Sequence, residues 1–221
     1  MSPKTLAACS MLSAIAFVFT IISHYVMPAM IPAAPWLKYD PKDIIIAIGG
    51  LIFGVVPAML MSVVVSFIEM VTISSTGWIG ALMNILATWA FVIPPAVIYS
   101  KRRTFPAAVA GLVSGVILMT GVMLLWNYLL TPIYMGWPRE EVAKLLLPAF
   151  MPFNLIKGAL NMAFTLVIYK PLVKAMRLSK LMPPAAKGSE LKKNTTVITV
   201  LVAAVIIISS ILVILAINGK I

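Results

Sequence analysis

Six side chains stand out because they are amide or ionisable groups set within long apolar stretches: Glu69, Asn84, Asn127, Asn154, Lys157 and Asn161. In hydrocarbon such groups are costly, so they face a cavity, a protein neighbour or one another. Asn154, Lys157 and Asn161 follow at intervals of three and four, which places them on one helical face. Lys157 brings up to three donors, and each asparagine both donates and accepts. A stripe of this kind suits a neutral or weakly polar ligand rich in carbonyls and hydroxyls. Plainer readings stand beside it. Lys157 is close enough to the start of its helix to reach the interface, and Glu69, near a helix end, can be solvated. Asn84 follows Gly77 and Gly80 and can bond a neighbouring helix. Asn127, inside Trp126-Asn127-Tyr128, can belong to an aromatic belt.

Other chemistry is missing. The chain has no G-x-x-x-x-G-K-[ST] loop to cradle nucleotide phosphates and no H-E-x-x-H zinc motif. His24 is the sole histidine and Cys9 the sole cysteine, too few soft ligands for a metal centre. No G-x-S-x-G elbow is present to seat a nucleophile. Neither catalysis nor a metal site is expected. A protein of this composition that moves solute uphill draws its energy from another subunit or a coupled ion.

The elements that must position these groups are membrane helices. Of 221 residues, 62% are hydrophobic and 10% charged, with mean hydropathy +1.08. A soluble domain of that size needs more charge to solvate its surface. Residues 5–37, 70–100, 104–138 and 194–219 carry no Asp, Glu, Lys or Arg, and each stretch exceeds the roughly 20 residues that cross a bilayer as helix. The formal charge of +11 does not imply nucleic acid. Seven of the 17 Lys and Arg fall in 170–193 and three more at 101–103, beside apolar spans, as the positive-inside bias produces. The first apolar run is too long for a secretory leader and reads as a retained helix.

Breakers divide the chain. A helix over about 5–27 meets Pro28, Pro32 and Pro35, which end it and favour an apolar, extended or turned connector folded back on the membrane domain as a lid or re-entrant loop. Gly49-Gly50, Gly54 and Pro57 interrupt the next region, predicting short helices over 43–55 and 57–73. Charge counting leaves open whether that region crosses once or twice. Helices follow over 78–100, 106–130 and 152–174, with Pro132, Tyr134 and Trp137 in a loop between the last two. Gly50-x-x-x-Gly54 and Gly111-x-x-x-Gly115 have the spacing of close helix contacts. The expected organisation is all-α: a six-helix membrane unit over 1–175, a basic linker over 176–194, and an extra transmembrane helix over 195–221.

The chain resembles the substrate-binding S components of energy-coupling factor transporters, and among them the riboflavin-specific group. The resemblance rests on residues 8–14 of the first helix, on Leu37-Lys38-Tyr39-Asp40-Pro41-Lys42-Asp43 leading to residues 49–54, and on Gly77-x-x-Gly80 with Asn84. Asn127-Tyr128 before Thr131-Pro132-x-Tyr134, and the segment from Pro152 to Gly158, complete it. It implies a polytopic six-helix fold, here with one helix added, and a first loop that covers the ligand. The implied ligand is riboflavin, with its phosphorylated form as a second candidate. The implied site is Leu37, Tyr39, Asp40, Glu69, Gly77, Asn84, Asn127, Tyr134, Asn154 and Lys157. The implied partners are a transmembrane coupling subunit, met through small residues such as Ser10 and Ala14, and two cytoplasmic ATPase subunits. No resident cofactor is implied. Alternatives are a carrier of another vitamin such as thiamine, or a membrane scaffold that transports nothing.

Overall fold

The computed structural model describes residues 1–31, 34, 37–74, 76–181 and 193–219. Helix α1, Pro3–Val26, starts where the Ser2 side chain accepts from the Thr5 amide and Pro3 fills the first turn. It stops before Pro28. Helices α2, Lys42–Phe53, and α3, Val55–Thr72, are joined at a single residue, Gly54. Gly54 has φ of +94°, a conformation that side chains rarely adopt, so the sharp reversal depends on glycine. The predicted break therefore falls at Gly54 and not at Pro57, which lies inside the first turns of α3.

Helix α4, Gly77–Arg102, carries Pro94 and Pro95 internally. Helix α5, Phe105–Met135, begins with Thr104 accepting from the Ala107 amide. It continues through Pro132 to Met135, five residues past the end expected from sequence, and so places Tyr134 on helix and not in a loop. A short helix α6, Arg139–Leu145, opens into a π-helical turn over Leu146–Phe150 before α7, Met151–Leu178. Pro148 lies in that turn; it has no N–H to donate, and the wider winding accommodates its ring. Helix α8, Lys193–Ile217, completes the chain.

Among the described residues, six helices are long and apolar enough to cross a membrane: α1, α3, α4, α5, the run 139–178, and 199–217 of α8. The twelve residues of α2 reach about 18 Å and do not span a hydrocarbon core alone. The six helices α1 to α5 and α7 form the bundle, with Leu12, Ile46, Ile48, Phe91, Leu112 and Met119 in its core. Large apolar side chains such as Phe67, Ile117 and Leu125 cover the outside, as lipid requires.

Glycine sets the closest approach. A Cβ on Gly115 would lie 2.2 Å from the Phe91 carbonyl oxygen, and one on Gly111 would lie 2.5 Å from Pro95 Cα. Both obstacles are backbone, so α4 and α5 must separate to admit a methyl group. Gly115→Ala is expected to destabilise the bundle by about 1–3 kcal/mol, the usual range for overpacking. A detergent melting curve tests this, and a transition matching that of the parent would show that the helices part freely.

Candidate ligand-binding site

Because the bundle alternates direction, α1, α3 and α5 end where α2, α4 and α7 begin. The opposite end carries Lys4, Lys101, Arg102, Arg103, Lys174 and Lys180, and is the cytoplasmic end by the positive-inside bias. At the less basic end the chain between α1 and α2 turns inward. Ser23 Oγ donates to the Tyr39 carbonyl at 2.7 Å, Thr20 Oγ1 to Asp40 Oδ1 at 3.1 Å, and Tyr39 Oη to Asn161 Oδ1 at 2.7 Å. Burial, with the nearby Asp43 carboxylate second, pushes the Tyr39 phenol above its ordinary range, so it remains a donor. Residues 37–41 are thus stapled to α1 and to α7.

Beneath this loop lies a buried charge network. Lys42, with no exposed surface, bridges Asp40 Oδ2 and Glu69 Oε2, the latter at 3.1 Å. Lys157 Nζ stands 3.5 Å from Asp43 Oδ2 and 3.8 Å from Asp40 Oδ2. Asp43 also accepts from Thr88 Oγ1 at 2.6 Å and from Asn161 Nδ2 at 3.4 Å. Glu69 Oε2 accepts from Asn84 Nδ2 at 3.0 Å. Three carboxylates and two ammonium groups therefore tie the loop to α2, α3, α4 and α7. Glu69 Oε1 is buried with no hydrogen-bond partner among the described residues. An acceptor left open in this way is suited to a ligand hydroxyl or N–H.

A cavity of about 460 Å³ adjoins the network, within the range of small-molecule sites. The loop contributes Leu37, Lys38, Tyr39 and Asp40, and α1 contributes Thr20 and His24. Glu69 and Ile73 close one side with Gly80, Met83, Asn84 and Ala87 of α4; Met123, Asn127 and Tyr134 of α5 and Phe153, Asn154 and Lys157 of α7 close the other. Apolar and aromatic side chains such as Leu37, Met83, Met123 and Phe153 share this lining with amide, carboxylate and ammonium groups. A second hollow, beside Trp137, Pro138 and Lys144 on α6, is bordered by an exposed Lys144–Glu141 pair and holds no buried polar group to orient a ligand.

Nine residues expected from sequence line this one cavity: Leu37, Tyr39, Asp40, Glu69, Asn84, Asn127, Tyr134, Asn154 and Lys157. Gly77 does not. It starts α4 with φ of +57°, one turn before Gly80, which does line the cavity. Ser10 and Ala14 lie on the exposed side of α1. Glu69 is 4% and Lys157 6% exposed, so neither is solvated nor snorkelled. Asn127 gives one N–H to the Met123 carbonyl of its own helix, and Asn154 gives one to the Phe150 carbonyl of the preceding π-helical turn, both at 2.7 Å. Lys42, Asp43 and Thr88 were not anticipated as site residues. The available signal was an adjacent Lys42-Asp43 pair opening an otherwise apolar helix.

The comparisons with known proteins agree with this geometry. Residues 4–169 match the family described as ECF transporter, substrate-specific component. The riboflavin transporter RibU of Staphylococcus aureus is 29% identical over 180 residues, covering 79% of this chain and 93% of that protein. RibU of Streptococcus thermophilus is 31% identical over 180 residues, 76% of this chain and 82% of the relative. The riboflavin transporter FmnP of Bacillus subtilis is 26% identical over 181 residues, 77% of this chain and 93% of the relative. A solved S component of a bacterial ECF transporter superposes with a TM-score of 0.65 at 29% identity, covering 79% of this chain and 98% of that one. With its bundle, its lidded cavity and this match, the chain belongs to the substrate-specific components of ECF transporters.

Proposed function

We propose that this protein binds riboflavin and carries it across the cell membrane as the substrate-specific subunit of an ECF-type uptake transporter. The observation that carries the reading is the cavity of about 460 Å³ beneath the first loop, lined by apolar and aromatic side chains together with amide, carboxylate and ammonium groups. Riboflavin has the matching chemistry: a flat ring system with large apolar faces, and an imide edge that needs both donors and acceptors. Asn154 and Lys157 meet the imide and ring carbonyls, Phe153, Leu37 and Tyr134 cover the ring, and Asn127, Asp40 and the open Glu69 Oε1 receive the ribityl hydroxyls. The curated relatives are named for the same vitamin.

The role is binding, not catalysis. The chain has no nucleotide-binding loop, so ATP hydrolysis belongs to two cytoplasmic ATPase subunits acting through a transmembrane coupling subunit. Ser10 and Ala14, small and exposed on α1, offer that subunit a close approach.

Flavin colour provides the test. Protein purified in detergent is expected to be yellow, or to quench added riboflavin stoichiometrically, with the phosphorylated flavin competing and thiamine not. Colourless protein that fails to quench saturating riboflavin would refute the assignment. Displacement of a different bound vitamin would transfer the function to that vitamin within the same transporter class.

A further inference from the structure

Helix α8 lies beyond the family match, which ends at residue 169, and the flavin reading gives it no task. Residues 197–217 contain no ionisable side chain, which alone predicts a lipid anchor. The packing is nevertheless one-sided. Thr199, Ala203 and Ser210 are buried, whereas Val197, Leu201, Val205, Ile208 and Leu212 are exposed. The buried side is small and lets α8 lie close against α7.

The same stripe continues toward the first loop. Ile207 and Ile214 join the apolar cluster formed by Met30, Ile31, Ala34 and Tyr39 with Phe153 of α7. One turn further on, Asn218 Nδ2 donates to the Met30 carbonyl at 3.2 Å. That carbonyl belongs to non-helical backbone, where a carbonyl left unpaired beside lipid is costly. The loop is therefore held from two sides. Ser23, Thr20 and Asn161 secure residues 39–40 on the cavity side, and α8 secures Met30, Ile31 and Ala34 on the outer side.

We propose that α8 is a strap on the first loop, with Asn218 and Ile214 as positioning residues that set how often the cavity opens. Its kinetic readout rests on the flavin reading. A contact made in the closed state, loaded or empty, slows entry and exit alike and leaves equilibrium affinity nearly unchanged. A cavity-wall residue behaves differently: its loss speeds exit alone.

The experiment uses the full chain in lipid nanodiscs, with stopped-flow riboflavin fluorescence for entry and a chase for exit. Asn218→Ala, which removes the hydrogen bond to the Met30 carbonyl together with one to the Ile214 carbonyl of α8 itself, is expected to raise both rates about fivefold. Asn218→Ala/Ile214→Ala is expected to raise both further, with Kd held within about twofold. Asn218→Gln restores the donor and part of the effect, and Leu212→Ala on the lipid side changes neither rate. Hydrogen exchange of peptides from the first loop, without ligand, is expected to quicken in the same variants. Unchanged rates and exchange in the double variant would overturn the strap, as would a faster exit with an unaltered entry. A parent protein that binds no riboflavin removes the flavin reading instead, and the exchange arm then decides the strap by itself.

Discussion

Replacing Lys42 with methionine is expected to remove roughly 3–5 kcal/mol of stability, the scale for breaking a buried ion pair from one side. Lys42 has no exposed surface and is the cation shared by Asp40 and Glu69. Without it both carboxylates stay in a dehydrated setting, and Asn84 alone donates to Glu69 Oε2 at 3.0 Å. Against a typical total of about 5–15 kcal/mol, such a loss leaves little folded protein at working temperature. Fluorescence-detected size-exclusion after a temperature ramp measures it. The companion variant Lys42→Met/Asp40→Asn/Glu69→Gln should recover most of the loss, because neutral groups of similar shape no longer need a counter-ion. A single variant melting within about 2 °C of the parent would mean that Lys42 carries no such burden.

Lys157→Ala is expected to weaken riboflavin binding by about 5- to 150-fold, the equivalent of about 1–3 kcal/mol for a lost partner in a dry pocket. Two effects contribute. The ligand loses a donor, and Asp43, whose carboxylate lies 3.5 Å from the ammonium, loses its cation. A double-mutant cycle with Asp43→Asn separates them. If the donor dominates, the loss from Lys157→Ala stays the same in the Asp43→Asn background. If the network dominates, the loss shrinks. Titration by flavin quenching supplies all four affinities, and an undiminished affinity in Lys157→Ala/Asn154→Ala would remove the two side chains from the site.

The parts of the structure legible in the residues were those governed by local rules. Hydropathy located the spans, and Gly54 marked the reversal between α2 and α3. The intervals between Asn154, Lys157 and Asn161 placed three polar groups on one face of α7. Lys42 and Asp43 escaped because ionisable residues opening an apolar run ordinarily sit in headgroups. Their burial follows from α2 entering the bundle end-on, which no local pattern records. The full length of α5 was hidden by Pro132, whose lost hydrogen bond a helix inside a bundle tolerates. The packing side of α8 was hidden for a different reason: Ala203 and Ser210 face either lipid or protein equally well until α7 supplies a partner.

The shortness of α2 also bears on biogenesis. Twelve residues with Lys42 and Asp43 at the head make a poor substrate for the insertion machinery, and ten of them end up enclosed by protein. Protein and not lipid surrounds most of this segment in the finished molecule, and Gly54 joins it directly to α3 as a hairpin. The counter-ions and hydroxyl that complete its surroundings, Glu69, Thr88 and Lys157, emerge from the ribosome in that order. The surroundings of α2 are thus complete only once α7 has been made, so the topology ties the finished pocket to the last helix of the bundle.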